Sequence, residues 1–408
     1  MSKIHALTFV TITLFLDTVG FGLIIPIFPT LLVEITGGDM ASSSAMSGYL
    51  TTVFAVAQLL FSPLLGSLSD RFGRRPVLIT SLFFLSINFL ILGLADSLWL
   101  LFLGRVLTGI TAATYATASA LIADVSPSSE RAQNFGLMGI AFGLGFICGP
   151  ALGGVLGSWD VRAPFFAAAG LTLLNTMYGL FFLQETLPKE QRRTFAWKRA
   201  NPVGAMRQIS RYPALSGLIA CMFLYAIGHH VFPSNWNFYT IERFAWSPLD
   251  VGLSLAFVGV MAVAVQGGLL RWVIPKFGAE RVACFGIGAT ILAYLGVASA
   301  ASVTTLYIWI AISSLGGLTG PAVQSIMTNQ LPQNEQGELQ GVIASVNSLA
   351  MILGPLAITQ SFTYFTSPTT PIYLPSAAFL FAAAITVISL GIFVRQASRL
   401  NRLLHSGN

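Results

Sequence analysis

Apolar residues in this chain fall into long runs separated by short polar interruptions. A helix rises 1.5 Å per residue, so about 20 apolar residues cross a hydrocarbon core of roughly 30 Å. Twelve runs meet that length: 6–33, 47–69, 76–95, 98–123, 132–156, 162–184, 213–238, 249–273, 281–299, 303–328, 337–362 and 373–394. The pattern predicts twelve membrane-spanning helices, numbered here as spans 1 to 12. The first run is too long for a signal-peptide core and no small-residue cleavage site follows it, so it reads as a retained span.

Composition narrows the class. Of 408 residues, 55% are hydrophobic and 9% charged, and the mean hydropathy is +0.77. A soluble domain carries about 25% charged residues. These values exclude a water-soluble enzyme, a disordered chain and a secreted disulfide scaffold. Cys148, Cys221 and Cys284 lie inside apolar runs without metal-ligand spacing, so no metal or other cofactor is implied. The net charge of +6 is explained by its placement. Of 21 Lys and Arg residues, all but Arg105, Arg162 and Arg243 fall at the termini or in the even-numbered loops. That is the positive-inside pattern, and it predicts both termini in the cytoplasm with no nucleic-acid partner.

The longest polar stretch, Glu185–Arg211, carries Pro188 and Pro202. It predicts three parts: a six-helix bundle over 1–184, a cytoplasmic linker over 185–212, and a second six-helix bundle with a short tail over 213–408. Pro127 and Pro332, Glu130 and Glu335, Gly136 and Gly341, and Gly149-Pro150 and Gly354-Pro355 are all 205 positions apart. Several matches at one shift favour duplication, an architecture typical of transporters.

Three motifs carry chemistry. Between spans 2 and 3 stands Gly66-Ser67-Leu68-Ser69-Asp70-Arg71-Phe72-Gly73-Arg74-Arg75. Glycines permit a tight turn, while Asp70 and the arginines can pair with charges or helix ends, forming a conformational latch. The second half holds an echo, Lys276-Phe277-Gly278-Ala279-Glu280-Arg281. Span 4 carries Leu103-Gly104-Arg105 with Gly109, where Arg105 is either a functional membrane charge or an interfacial snorkelling residue. Span 5 carries Gly145, Gly149-Pro150 and Gly153-Gly154, whose four-residue spacing allows close helix contact. These patterns resemble the major facilitator superfamily, and the span 5 motif resembles its antiporter signature.

With Leu16-Asp17, Gly20, Gly22, Pro26 and Pro29 in span 1, Asp124 after span 4, Glu130-Arg131, Glu242-Arg243 before Trp246, and Gln340-Gly341, nearly the whole chain is similar to the tetracycline/proton antiporter family. The resemblance implies an all-α membrane protein with twelve helices in two pseudo-symmetric six-helix bundles. It also implies a bacterial inner-membrane drug/proton exchanger working by alternating access. Members of that family carry further membrane acids in spans 3 and 9 and a His in span 8. Here the corresponding positions hold Asn88, Thr290 and Ala262, so the fold and exchanger class carry over and the named drug does not.

Asp17 is the only acid deep in a predicted span. A carboxyl there is costly and marks function by default. It is the candidate proton carrier, with a structural pair to Arg105 or a helix-capping role as the alternative. His229 and His230 in span 7 are further candidates for proton coupling, or simple hydrogen-bonding partners in the bundle. Arg105 and Asp124 are candidate membrane-embedded or gating charges. Gln58, Asn88, Asn235, Trp236, Gln266, Gln324 and Asn347 are candidate cavity residues; each polar one could instead make a helix–helix hydrogen bond. The expected partners are protons, the lipid bilayer and a drug-like or amphipathic small molecule, handled by a monomer that is not an enzyme. Rival readings are export of a metabolite or siderophore-like compound, uptake by the same fold, or a non-transporting receptor or scaffold.

Overall fold

The computed structural model describes residues 3–112, 114–126, 130–192, 215–332 and 335–406. The described residues form helices, turns and loops, without a strand. Among them, 11 helices are long and apolar enough to cross a membrane. They are Leu7–Thr36, Met40–Phe72, Arg74–Gly93, Asn134–Trp159, Ala163–Phe182, Ser216–Phe244, Pro248–Phe277, Ala279–Ser299, Val303–Thr328, Glu338–Thr366 and Ala377–Arg399. Span 4 consists of the shorter helices Leu98–Thr111 and Thr114–Val125, with Ala112 in a turn. Each predicted apolar run therefore overlaps helix among the described residues. Most of the predicted linker, from 193 onward, lies outside the described residues.

The chain forms two compact units. One comprises Met1–Asp39, Val53–Pro202 and Trp246–Gly259; the other comprises Met40–Thr52, Val203–Ala245 and Val260–Asn408. Relative to the bundles expected from sequence, the starts of spans 2 and 8 are exchanged.

In the first unit, span 5 lies on span 1 along a glycine stripe. A Cβ placed on Gly145 would meet Thr18, on Gly149 the Val19 carbonyl at 2.8 Å, on Gly153 the Leu23 carbonyl at 2.2 Å, and on Gly157 Ile27. Each sits one helical turn beyond the last, so one face of span 5 lies close against span 1 and touches its backbone at Gly149 and Gly153. The neighbouring face also lacks room, because Gly154 lies against Pro248, Leu249 and Gly252. Asn175 of span 6 and Thr13 of span 1 share a buried hydrogen bond at 3.1 Å.

In the second unit the same Gly-Pro element recurs, with Gly354 of span 11 against the His230 ring of span 7. The Ser389 hydroxyl of span 12 donates to the Cys221 carbonyl at 2.8 Å. Phe379 gathers Phe232, Trp236, Tyr239 and Tyr294 into a buried aromatic cluster. Gly48, at the start of span 2, packs on Thr359, whose neighbour along the helix, Thr363, donates to the Ala41 carbonyl at 2.8 Å.

Spans 1, 4, 7 and 10 are each interrupted. Span 1 passes through a 3₁₀ turn at Ile25–Ile27, where Pro26 and Pro29 cannot donate to the helical ladder. Span 7 turns at His230, between Ser216–His229 and Val231–Phe244. Span 10 passes through a 3₁₀ turn at Leu315–Leu318. Ile25 and His230, like Ala112 and Gly317, are 205 positions apart. The register of the sequence repeat thus aligns the backbone irregularities as well.

The stripe makes a position-specific prediction. Gly153→Ala should lower the thermal midpoint in detergent by the equivalent of about 1–3 kcal/mol, the usual cost of overpacking. Gly136→Ala, where nothing lies within 4 Å of the new methyl, should leave it unchanged or slightly raised.

Candidate functional site

The loop between spans 2 and 3 is built around Gly73, whose φ of +107° favours glycine. Arg74 follows it at the start of span 3 and turns inward, 8% exposed. Its Nη1 reaches Asp70 Oδ1 at 2.6 Å and donates to Ser69 Oγ at 2.6 Å, while Nε donates to Asp124 Oδ2 at 3.0 Å. One buried guanidinium therefore joins the ends of spans 2, 3 and 4. The sequence motif placed Asp70 and Arg74 together; the structure adds Asp124.

The other half of this site was not visible in the motif. Glu185, just past span 6, accepts from the backbone N–H groups of Arg74 at 2.9 Å and Arg75 at 3.3 Å, and from Thr186 and Leu187 at 3.0 Å each. Arg192 lies 3.8 Å from it. A carboxylate at a helix N-terminus satisfies free amides and complements the dipole. Gly73 is also needed for space, since a Cβ there would stand 2.0 Å from Glu185 Oε2. Arg75 donates to the Leu180 carbonyl at 2.8 Å. Arg71 is exposed, with its guanidinium 5.0 Å from the Phe72 ring centre, and Gly66 has open space around it.

Deeper in span 1, Asp17 is half-buried and makes no ion pair or hydrogen bond among the described residues. Arg105 does not pair with it. The Arg105 guanidinium instead stacks on Phe28 at 4.4 Å, and its Nε is buried without a partner among the described residues. These two opposite charges and the span 1 interruption belong to one unit.

In span 7, His229 is exposed and stacks on Tyr225, with planes 5° apart and centres 6.2 Å apart. His230 packs against the Gly354 backbone. The Tyr225 hydroxyl donates to the Gly316 carbonyl at 2.9 Å, inside the span 10 interruption, and lies 3.1 Å from Thr290 Oγ1. Gln266 lies in a π-helical turn over Ala264–Leu269 and approaches Gly317.

The remaining candidates have varied settings. Asn88 is fully buried and its Nδ2 donates to Thr108 Oγ1 at 2.7 Å, while the Thr108 hydroxyl donates to the Gly104 carbonyl at 2.8 Å. Asn88 Oδ1 has no partner among the described residues, nor has either amide atom of fully buried Asn235. Trp236 is buried in the aromatic cluster. Gln324 donates to Gln340 at 3.0 Å, Asn347 is exposed, and Gln58 is half-buried near Gly109. Among the described residues no cluster of three or more His, Cys, Asp or Glu could hold a metal ion.

The Major Facilitator Superfamily sequence model matches residues 10–355 and 271–403. The chain belongs to the major facilitator superfamily. Within that superfamily it is 37% identical to the class C tetracycline resistance protein of Escherichia coli, over 88% of this chain and 90% of that one. It is 29% identical to multidrug resistance protein 2 of Bacillus subtilis, over 93% and 92%. Among solved folds, the nucleoside transporter NupG aligns with a TM-score of 0.80 at 13% identity, covering 96% of this chain and 98% of that one. The superfamily's multi-pass membrane fold accounts for the apolar spans, and its members move small molecules.

Arg162 and Arg243, which break the positive-inside pattern, have a structural task that sequence reading missed. Arg162 donates to the Gly93 and Ala95 carbonyls at 3.0 and 2.7 Å and pairs with Glu34 at 3.0 Å. Arg243 donates to the Ala300 carbonyl at 3.0 Å. They cap the C-terminal ends of spans 3 and 9, where positive charge suits the dipole. Nearby, the Tyr373 hydroxyl donates to Glu242.

Arg74→Ala should destabilise the protein more than Arg75→Ala, by about 2–3 kcal/mol, because it strands two carboxylates of one network. Thermal unfolding in detergent measures the difference, and adding Asp124→Ala to Arg74→Ala should cost less than the sum of the two.

Proposed function

We propose that this chain is a proton-coupled exporter of amphipathic, drug-like molecules, working by antiport across an inner membrane with both termini in the cytoplasm. Two six-helix bundles, 1–184 and 213–408, alternate access for substrate and proton. The observation that carries the reading is Asp17, an acid within span 1 with no ion pair among the described residues. A carboxyl left unpaired in such a place can take a proton on one side and release it on the other. Similarity to a tetracycline resistance protein and to a multidrug resistance protein supports export of drugs. The span 5 glycine motif supports exchange.

The loop of Gly66, Asp70, Arg71, Gly73, Arg74 and Arg75 is the conformational latch, with Glu185 as its anchor. Its ion pairs hold span ends together in one state and release them in another. His229 and His230 are the secondary proton-coupling candidates. Asn88 and Thr290 make neutral hydrogen bonds at two positions where the tetracycline/proton family carries acids, which favours weakly charged cargo over a cationic metal–drug complex.

Two measurements test this. In proteoliposomes, Asp17→Asn should abolish substrate-driven proton movement while leaving the thermal midpoint in place; undiminished coupling would overturn the role of Asp17. In cells, expression should raise resistance to apolar amphiphilic drugs and leave tetracycline sensitivity unchanged. Strong tetracycline protection would show that the absent acids do not govern cargo.

A further inference from the structure

The turn between spans 8 and 9 borders an apolar groove that transport chemistry does not use. It encloses about 400 Å³ and is lined by Leu269, Val273, Phe277, Val282, Phe285, Leu315 and Leu318, with Arg281 as its one polar lining residue. That volume is in the range of sites for small ligands. The groove is open along its side, because Phe277 and Phe285 are 50% and 56% exposed. In hydrocarbon such an opening faces acyl chains.

Two cations, Lys276 and Arg281, stand in the turn that borders the groove, with Glu280 between them in sequence. Arg281 is exposed and has no ion pair among the described residues. Lys276 is exposed, its Nζ 5.4 Å from the ring centre of Phe277, which also lines the groove. Gly278, at φ +80°, reverses the chain between the two cations. Trp272, 78% exposed, marks headgroup depth, where tryptophan is enriched. The groove floor is shaped by two departures from regular helix: the π-helical turn Ala264–Leu269, which supplies Leu269, and the 3₁₀ turn Leu315–Leu318. An apolar channel in the bilayer that ends at unpaired cations at headgroup depth matches one class of molecule.

We propose that this groove is a binding site for an anionic phospholipid, with one acyl chain between spans 8, 9 and 10 and the phosphate held by Arg281 and Lys276. Basic pockets between membrane helices take anionic headgroups through this combination of charge and apolar contact. The site is separate from Asp17 and does not rest on the transport reading; only its assignment to the inner leaflet uses the proposed orientation.

The test uses the full chain in nanodiscs and a phosphatidylglycerol with a photoactivatable group on its acyl chain. Labelled peptides should map to 264–285 and 315–318, and the matching phosphatidylcholine probe should label them less. Arg281→Ala should reduce phosphatidylglycerol labelling about fivefold, the effect expected of one interfacial cation. Leu269→Trp, which adds bulk to the groove lining, should reduce labelling by both probes. Circular dichroism melts of both variants establish folding. Equal labelling by the two probes, or phosphatidylglycerol labelling unaffected by Arg281→Ala, would overturn the proposal. Loss of labelling in Arg281→Ala but not in Leu269→Trp would overturn the acyl-chain half, leaving a surface contact.

Discussion

Inside hydrocarbon a backbone N–H or C=O that leaves its helix finds no water to replace the lost bond. Much in this protein follows from that constraint. Its spans are helical, yet among the described residues spans 1, 4, 7 and 10 are interrupted, and an interruption needs local repair. In span 10 the Gly316 carbonyl is met by the Tyr225 hydroxyl from span 7. At the end of span 3 the free carbonyls are met by Arg162, and at the end of span 9 by Arg243 and by Tyr239, whose hydroxyl donates to Val297 at 2.7 Å. Polar side chains in this chain often serve the backbone first.

The loop between spans 2 and 3 applies the same logic at the membrane edge. A helix start leaves amides unpaired, and Glu185 takes two of them at span 3 while also binding the chain that leaves span 6. Arg74 gathers carboxylates from the ends of spans 2 and 4. The loop is thus a junction of four spans. A change in one of them would have to break charge-assisted bonds there, as a conformational latch requires.

The spans were legible because lipid imposes length and apolarity on every crossing segment, and the glycine stripe because backbone contact demands small residues at four-residue spacing. Asp70 and Arg74 could be paired from one local motif. Glu185 could not, because 111 positions separate it from Arg74 and no pattern links them. Nor could the caps of Arg162 and Arg243 be read, since a charge count treats them only as exceptions. Pro26 and Pro29 stand at the span 1 interruption, a signal that the apolar run of 6–33 masks. Ala112 in span 4 carries no such signal, and only the repeat register relates it to Gly317.

Asn88 has a bearing on how the family's charge pattern can change. A single-atom exchange, amide nitrogen for oxygen, would place an acid at this position. But Thr108 has one hydroxyl hydrogen, already directed at the Gly104 carbonyl, and offers Asn88 only its lone pairs. A carboxylate would face that oxygen as acceptor against acceptor in a fully buried setting. An acid here could keep the contact by staying protonated and donating its own hydrogen to Thr108, so burial and the hydrogen bond would both hold it neutral. A change of one atom would thus turn a passive helix–helix contact into a group that holds a proton.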